Sequence, residues 1–233
     1  MLVSINQPAY LPWLGYYHRI AVSDKHIVLD HVQFEKGSFT NRNKVRTDQG
    51  ACWLTVPVLT QGRFHELPIN SVEIDNRVDW RSKHWKTLAA NYSKCPYFDE
   101  HSLFFEDVYR REWLRLADLC EEMTRYFLKA FEIETPLLQS SQMQPSGVKD
   151  ELVLDLCRKA SADTYLSGAL GRNYIREEIF NRQRIVVRYQ DYQHPEYPQR
   201  QRGPFVPYMA AIDLLFNCGP ESRNVILSGE AGE

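Results

Sequence analysis

The chain has 233 residues, which suffices for one large domain or two small ones with a substantial buried core. Its 28 basic and 30 acidic residues nearly balance. This balance argues against a broad electrostatic surface for nucleic acid, although it is compatible with a local basic patch. The five cysteines are scattered and form no CxxC pair, so the sequence indicates neither a zinc ribbon nor a disulfide framework.

No stretch approaches the roughly 20 apolar residues that a membrane-spanning helix needs. The first residues (MLVSINQP) lack the basic and apolar regions of a signal peptide. We therefore expect a cytoplasmic protein without a membrane span. The sequence gives no indication of the oligomeric state.

The first residues of the chain predict a compact strand–helix–strand unit. Residues 2–6 (LVSIN) form a short apolar run, and residues 25–30 (KHIVLD) form a second one that ends in Asp30. Between these runs, apolar residues recur at helical spacing, which predicts a helix of about 12 residues.

A polar segment comes next, and it is followed by a segment in which apolar and polar residues alternate. Residues 31–50 are rich in Asn, Arg, Lys and Gly, which predicts a loop, or a strand that carries a functional loop. Residues 52–58 alternate between apolar and polar side chains and are predicted to form a strand, and residues 69–74 are a further strand candidate.

The middle of the chain is predicted to be helical. One helix covers residues 80–94, and residues 98–132 supply two more, the second from 112 to 131. A strand is predicted over residues 132–138. Residues 139–147 (QSSQMQPSG) are a possible internal linker, because Gln, Ser, Pro and Gly favour turns and contribute little to a core.

Strand and helix alternate again in the last third. We predict a helix at 149–162, a strand at 163–168, a helix at 172–183, a strand at 184–190 and a helix within 205–219 that ends at Gly219-Pro220. The polar tail 221–233 is expected to fray. The whole pattern predicts one α/β domain over residues 1–220, with a Rossmann-like, mostly parallel sheet and a helical insertion at about 80–132.

Distinctive sequences follow four of the predicted strands. They are QPAYLPWLG, DHVQFEKGSFTNRNK, LSGALGRNY and DYQHPEYPQ. Ligands of open α/β sheets bind at the carboxyl ends of the strands, so these four loops are expected to form one site.

The first of these loops combines two rigid prolines with a glycine that permits close approach of the backbone. Pro8 and Pro12 fix φ and lack donors, while Gly15 allows the backbone to approach a ligand or a neighbouring strand. The helix that follows offers its N-terminus to an anion such as phosphate. The loop resembles that of the nucleotidylyltransferases, but Pro12-Trp13-Leu14-Gly15 lacks their two phosphate-contacting histidines.

Two residues are candidates for catalysis. His194 lies in a proline-stiffened loop and is the candidate general base, and Asp30 is its orienting partner or the alternative base. Because adjacent residues on a strand point to opposite faces, at most one of Asp30 and His31 is expected to face the site. The alternative for His31 is a loop histidine with its hydrogen bonds satisfied outside the site. Asp213, in an apolar helix, is expected to hydrogen-bond a buried backbone group. No His, Cys, Asp and Glu cluster has the spacing of a metal site.

The remaining candidates are predicted to bind substrate. Gln7, Asn41 and backbone groups near Gly15 or Ser167 are candidate oxyanion donors, and Arg42 and Lys44 are candidates for holding phosphate. Further predicted substrate contacts are Tyr10, Gln33, Gly168, Tyr174, Tyr197 and Gln199.

Several motifs in the same order resemble those of the WbqC-like family. They are Q7-P-x-Y-L-P-W-L-G-Y16, L29-D-x-V-Q-F34, N41-R-N43, W53-L-T-x-P57, Y165-L-S-G168, Y197-P-Q199 and D213-L-L-F-N-x-G219, and they extend over essentially the whole chain. The resemblance implies a role in surface-polysaccharide (O-antigen) or natural-product biosynthesis. It also implies the attachment of an amino acid, glycine in the type case, to the amino group of a sugar.

The resemblance therefore predicts an amide-forming acyl or aminoacyl transferase. It would need no bound cofactor, would take an activated amino acid from a carrier-protein thioester or an aminoacyl-tRNA, and would transfer it to a small-molecule amine such as a nucleotide-linked amino sugar. Two alternatives stay open. One is a nucleotide-binding transferase related to the nucleotidylyltransferases, and the other is a non-catalytic protein that binds a substrate or a carrier.

Overall fold

A five-stranded parallel sheet organises the protein in a computed structural model that describes residues 1–60, 62 and 66–229. Its strands are β1 (Leu2–Asn6), β2 (Lys25–Val28), β7 (Leu137–Gln139), β8 (Thr164–Ser167) and β9 (Val186–Tyr189). Their spatial order is β7-β2-β1-β8-β9, and each neighbouring pair is parallel. This is the predicted Rossmann-like α/β architecture.

The other elements lie outside this sheet. A hairpin of β3 (Arg42–Thr47) and β4 (Gly50–Thr55) and a short pair of β5 (Val58–Leu59) and β6 (Glu73–Ile74) are antiparallel. The helices are α1 (Leu14–Ala21), α2 (Trp80–Tyr92), α3 (Phe98–Arg110), α4 (Leu116–Ala130), α5 (Asp150–Lys159), α6 (Glu177–Asn181), α7 (Ala211–Cys218) and α8 (Ser222–Ser228). Short 3-10 helices cover Ile69–Ser71, Ser140–Met143, Ala169–Asn173 and Gly219–Glu221.

The sheet is covered on both faces, as its parallel strands require. Val3 and Ile5 alternate with Ser4 along β1, and they pack with residues of α5 and α6 in one cluster. A larger cluster surrounds α1, α3, α4 and α7 and contains Tyr17 and Phe127. The predicted helical insertion is thus confirmed as α2, α3 and α4, whose apolar faces all contribute to this larger cluster.

Some predicted elements differ from the observed ones. The polar segment 31–50 contains β3, which pairs with β4 because alternating residues of both strands pack inward; the predicted strand 52–58 is therefore half of a hairpin. The predicted strand 69–74 is a 3-10 helix followed by the two residues of β6.

The stretch of the possible linker and the tail are both partly structured. Residues 139–147 include the end of β7 and the 3-10 helix Ser140–Met143, and they lie between β7 and β8 of one sheet. The tail was expected to fray from 221, but α8 contacts α1 and buries Ile226 completely. Residues 230–233 of that tail lie outside the described residues.

Candidate functional site

A cleft of about 180 Å³ lies at the carboxyl edge of the sheet. Its lining comes from the ends of β2 and β7, from residues that follow β1, β2 and β7, and from α1, α4 and the 3-10 helix at Asn70. It is lined by Pro8, Tyr16, Val28, Asp30, Asn70, Ala117, Asp118, Glu121, Thr124, Leu137, Gln139, Ser141 and Gln142.

Asp30 is the most strongly held side chain of this cleft. Its Oδ2 accepts a hydrogen bond of 2.6 Å from the Ser141 hydroxyl, and its Oδ1 accepts bonds from the Ser140 hydroxyl and the Ser141 amide at 2.8 and 2.9 Å. Burial alone would raise the pKa of Asp30, but the hydrogen bonds from Ser141 and Ser140 outweigh it and lower the pKa below its usual value. Asp30 is therefore a carboxylate at neutral pH.

The register of two parallel strands explains this arrangement. Val28 of β2 pairs with Gln139 of β7, so Asp30 and Ser141 each lie two residues beyond a paired position. They meet just past the carboxyl ends of the two strands. Ser140 and Ser141 fall in the stretch whose composition predicts a linker, so the sequence alone does not indicate a role for them in a site.

Asp30 and His31 both contact Ser140, although they are adjacent in sequence. His31 Nδ1 lies 2.6 Å from Ser140 Oγ. Since Ser140 donates its single proton to Asp30, it can only accept from His31, which places the imidazole proton on Nδ1 and leaves Nε2 as the basic nitrogen. Burial lowers the pKa of His31 despite the nearby Asp30 charge, so its imidazole is neutral at pH 7.

The opposite wall of the cleft adds two carboxylates from α4. Glu121 is partly neutralised, since it forms an ion pair with Arg125 and accepts a hydrogen bond of 3.2 Å from Gln139. Asp118 forms no ion pair within the described part of the chain and stands exposed at the rim. The cleft therefore carries excess negative charge, which suits a cationic ligand.

This charge is not arranged as a metal centre. In residues 1–60, 62 and 66–229, no group of three or more His, Cys, Asp or Glu side chains is placed to hold a metal ion. The polar amides of Asn70, Gln139 and Gln142 complete the lining instead. Carboxylates can bind an ammonium group, and amides beside them can hydrogen-bond hydroxyls, so the lining suits a ligand that carries both.

The end of β8 forms a second polar region at the same edge. Ser167 is buried, and its hydroxyl donates to the Gly168 carbonyl oxygen at 3.2 Å. Tyr174 is half exposed, and burial raises the pKa of its hydroxyl. Against Gly168 lies the guanidinium of Arg19, a residue that the sequence analysis did not select. The available signal was its position as a cation on a helix of otherwise largely buried residues.

The first loop joins these two regions. Gln7 follows β1, which lies between β2 and β8, and its half-buried side chain makes no hydrogen bond to the described residues. Pro8 lines the cleft. Gly15, however, faces the ring of Trp13, which lies 2.3 Å from where a Cβ of residue 15 would be. The start of α1 is thus covered by a side chain of its own loop.

His194 lies in an aromatic cluster apart from Asp30. Its ring stacks on Trp13 with centroids 6.3 Å apart and contacts Tyr208 edge-on at 5.0 Å. Burial lowers the pKa of His194; its Nδ1 bonds the Pro195 carbonyl oxygen, and its Nε2 is buried without a partner among the described residues. The structure therefore does not bring the two predicted catalytic residues together, because His194 neither lines the cleft nor contacts Asp30 in the described chain.

The predicted phosphate-binding side chains lie on the β3–β4 hairpin. The Arg42 guanidinium and the Lys44 ammonium lie 4.5 and 5.3 Å from the centroid of Trp53, which is 44% exposed. They are not among the residues that line the cleft. Asn41 donates to the Val56 carbonyl oxygen at 2.8 Å and so anchors the hairpin.

Tyr10 and Gln33, both predicted substrate contacts, form hydrogen bonds within the protein. The Tyr10 hydroxyl, completely buried, lies 2.8 Å from His84 Nδ1 and 2.5 Å from the Tyr109 hydroxyl. Gln33 donates to the Phe34 carbonyl oxygen and accepts from the Leu67 amide. The polar groups of these two side chains therefore stabilise the fold.

Tyr197 and Gln199 are both bound to Asp213. The Tyr197 hydroxyl and the Gln199 amide each donate to Asp213 Oδ2 at 2.8 Å, and the Tyr92 hydroxyl donates to Oδ1 at 2.7 Å. Burial raises the pKa of Asp213, and the three donors offset only part of that rise. Asp213 thus ties the 191–209 segment to α2 and α7; its carboxylate bonds three side chains, whereas the sequence predicts a buried backbone group as its partner.

The five-stranded parallel sheet and the polar cleft at its carboxyl edge define the class: a Rossmann-like α/β protein. Within this class, the profile of the WbqC-like protein family matches residues 7–225, and the chain belongs to that family. The uncharacterized protein Rv1507c of Mycobacterium tuberculosis (strain ATCC 25618 / H37Rv) is 35% identical over 225 residues, which are 96% of each chain. No solved structure matches the chain. In the part of the chain that the structure describes, no helix has both the length and the apolar character needed to cross a bilayer.

Proposed function

We propose that this protein is an amide-forming acyl or aminoacyl transferase whose amine acceptor binds in the cleft beside Asp30. The observation that carries the proposal is the gathering of Asp30, Asp118 and Glu121 around one cleft at the carboxyl edge of the sheet. An ammonium group has the charge and the three donors that such carboxylates bind. The acceptor class, a nucleotide-linked amino sugar or similar amine, also fits the neighbouring amides of Asn70 and Gln139.

Asp30 serves as a binding group in this proposal. A general base is most effective when its pKa lies near the operating pH, and the hydrogen bonds of Ser140 and Ser141 hold the pKa of Asp30 below its usual value. Asp30 is therefore suited to attract and orient the ammonium group. We assign proton acceptance to the neutral His31, which follows Asp30 and contacts Ser140 without itself lining the cleft, and whose Nε2 is left basic by the bond between Nδ1 and Ser140.

The proposed reaction is an aminolysis. The ammonium loses one proton to His31, and the amine nitrogen then attacks the carbonyl carbon of an amino acid activated as a thioester or as a tRNA ester. A carbon–nitrogen bond forms, the carbon–sulfur or carbon–oxygen bond of the donor breaks, and the leaving thiolate or alkoxide takes up a proton. We assign donation to the developing oxyanion to Gln7, which follows β1 next to the cleft-lining Pro8 and whose amide makes no hydrogen bond to the described residues.

The first loop gives less support to a nucleotidylyltransferase than to the proposed acyl transferase. Those enzymes are expected to bind phosphate at the start of the first helix, where Trp13 packs over Gly15 in this chain. The alternative of a non-catalytic binding protein predicts the same ligand affinity without turnover. A turnover assay therefore separates it from the proposed transferase.

The test combines glycine as its N-acetylcysteamine thioester with a nucleotide-linked amino sugar and detects the new amide by mass spectrometry. We expect Asp30→Asn to lower the rate by at least about tenfold, through the loss of a charge-assisted contact. Asp99→Asn, which changes an exposed carboxylate in the first turn of α3, is the matched control and should leave the rate unchanged. Equal rates for Asp30→Asn and the unmodified protein would contradict the proposal.

A further inference from the structure

Arg19 is a cation without a counter-ion at the carboxyl edge of the sheet. Its guanidinium forms no ion pair and donates no hydrogen bond to residues 1–60, 62 or 66–229, and its Nε is shielded from solvent without a partner. The groups whose charges act on it are the hydroxyls of Tyr165, Tyr16 and Tyr174, with no carboxylate among them. Enclosing an unpaired charge is costly, which is why arginines in such positions normally have an anionic partner.

The fold makes room for this guanidinium at one glycine. A Cβ on Gly168 would lie 2.5 Å from Arg19 Nη1, well inside contact distance. Gly168 has a φ of −69°, which any residue adopts, so its backbone conformation does not require glycine. The absent side chain instead allows Arg19 to approach the backbone just past the end of β8.

This position is also the topological switch point of the sheet. From β1 the chain first builds outward through β2 and β7 on one side, and it then returns to add β8 and β9 on the other side. The crevice between the carboxyl ends of β1 and β8 is where open α/β sheets bind ligands, phosphate groups in particular. Two independent observations, the unpaired cation and the strand order, therefore coincide at Arg19.

We propose that Arg19, with the hydroxyl of Tyr174 and the open space at Gly168, binds a phosphate or diphosphate group of the substrate. A guanidinium offers paired donors to two phosphate oxygens, and Tyr174 is half exposed and within electrostatic reach of Arg19. The phosphate takes the place of the counter-ion that the described residues do not supply.

The proposal deepens the proposed function and depends on it for the identity of the whole substrate. Tyr16 lines the acidic cleft and lies three residues before Arg19 on α1, and the Arg19 charge acts on the Tyr16 hydroxyl. One sheet edge thus has carboxylates beside β2 and β7 and the Arg19 guanidinium beside the end of β8. A nucleotide-linked amino sugar has the matching pair of groups, an amine and a diphosphate.

The test uses inorganic pyrophosphate as the probe and titration calorimetry as the measurement. We expect saturable binding to the unmodified protein and at least tenfold weaker binding to Arg19→Gln. Gly168→Ala should weaken binding at least fivefold, because the added methyl displaces the guanidinium. Arg182→Gln, which changes an exposed arginine that forms no ion pair in the described chain, is the matched control and should bind as the unmodified protein does.

Urea unfolding of the same variants separates binding from folding. Because Arg19 has no partner in the described residues, Arg19→Gln should unfold at the same urea concentration as the unmodified protein or at a higher one. Unchanged pyrophosphate affinity in Arg19→Gln or Gly168→Ala would overturn the proposal. So would acetate binding more tightly than pyrophosphate, since it would identify a carboxylate subsite. Neither result depends on amine binding at Asp30, so the two proposals fail separately.

Discussion

The hydroxyl of Ser141 donates a hydrogen bond of 2.6 Å to the carboxylate of Asp30, across 111 residues of sequence. The two residues extend β7 and β2 by equal steps beyond their last paired positions. This bond joins the two strands at the edge where the candidate site lies. It also fixes the charge and the direction of the Asp30 carboxylate.

Ser141→Ala tests what this bond contributes to stability. A hydrogen bond to a charged group contributes about 1.5–3 kcal/mol, and the exposure of Ser141 places the expected loss at about 1.5 kcal/mol at pH 7. Urea unfolding measures it. Ser93→Ala, at an exposed serine just past α2 whose side chain makes no hydrogen bond in the described chain, should change the free energy of unfolding by less than about 0.5 kcal/mol.

The pH dependence of that loss identifies Asp30 as the acceptor. In the folded protein the pKa of Asp30 lies below its ordinary value of 3.8. The ionised carboxylate therefore stabilises the fold fully above that ordinary value, and the stabilisation disappears as the pH falls through the folded pKa. The difference between Ser141→Ala and the unmodified protein should shrink below about pH 4. A difference that stays constant down to pH 3 would contradict this assignment.

Loss of the hydroxyl is expected to destabilise the protein at Tyr10 and to leave its stability almost unchanged at Tyr174. Tyr10→Phe removes the buried hydroxyl that bonds His84 Nδ1 and the Tyr109 hydroxyl, so it should lower the free energy of unfolding by about 1–3 kcal/mol. Tyr174→Phe removes a half-exposed hydroxyl and should change that free energy by less than about 0.5 kcal/mol, while weakening pyrophosphate binding. Urea unfolding and titration calorimetry measure the two quantities. A stable Tyr10→Phe variant would show that the buried network is not formed.

Asp213 is expected to be a structural residue. Asp213→Asn places an amide group where Tyr92, Tyr197 and Gln199 donate, so at least one buried donor loses its acceptor. The expected loss is about 2–4 kcal/mol, against about 1 kcal/mol for Tyr197→Phe, which removes a single bond. Thermal unfolding followed by circular dichroism compares the two variants. Equal losses would argue that the carboxylate is not the centre of the network.

His84 is expected to make the fold sensitive to acid. Burial lowers its pKa from 6.5 to about 4, so between these values the unfolded chain binds one proton more than the folded one. Stability should therefore decrease as the pH falls through this window, by up to about 1.4 kcal/mol per pH unit from this residue. His84→Gln should remove that part of the slope in urea unfolding between pH 7 and 4. An imidazole that titrates near 6.5 in the folded protein by NMR would contradict the expectation.

The strands of the main sheet and the helical insertion could be predicted because their patterns are local. Val3, Ile5 and Ile27 form short apolar runs, and the helices of the insertion repeat apolar residues at helical spacing. The loops after β1, β2, β8 and β9 were expected at one edge, and the parallel pairing of these strands confirms it. The ends of predicted strands therefore indicate which loops share a sheet edge, even when the order of the strands in the sheet is unknown.

The partners within the site could not be predicted, because they depend on pairing between distant segments. Nothing near Asp30 in sequence indicates Ser141, and nothing near Gly168 indicates Arg19. Polar side chains such as Tyr197 and Tyr10 are equally compatible with a ligand or a buried network when only their own segment is known. Their hydrogen bonds decide between these roles, and the sequence does not contain that information in local form.

The most direct test of the account is the binding of an amine at Asp30. Glucosamine is titrated into the uniformly labelled protein and followed by NMR, with glucose as the uncharged comparison. We predict that glucosamine shifts the backbone amide signals of Asp30, Asn70, Asp118 and Ser141, that glucose does not, and that Asp30→Asn weakens glucosamine binding at least tenfold. Equal responses to glucosamine and glucose, or shifts confined to other parts of the protein, would contradict the claim that this cleft binds the amine.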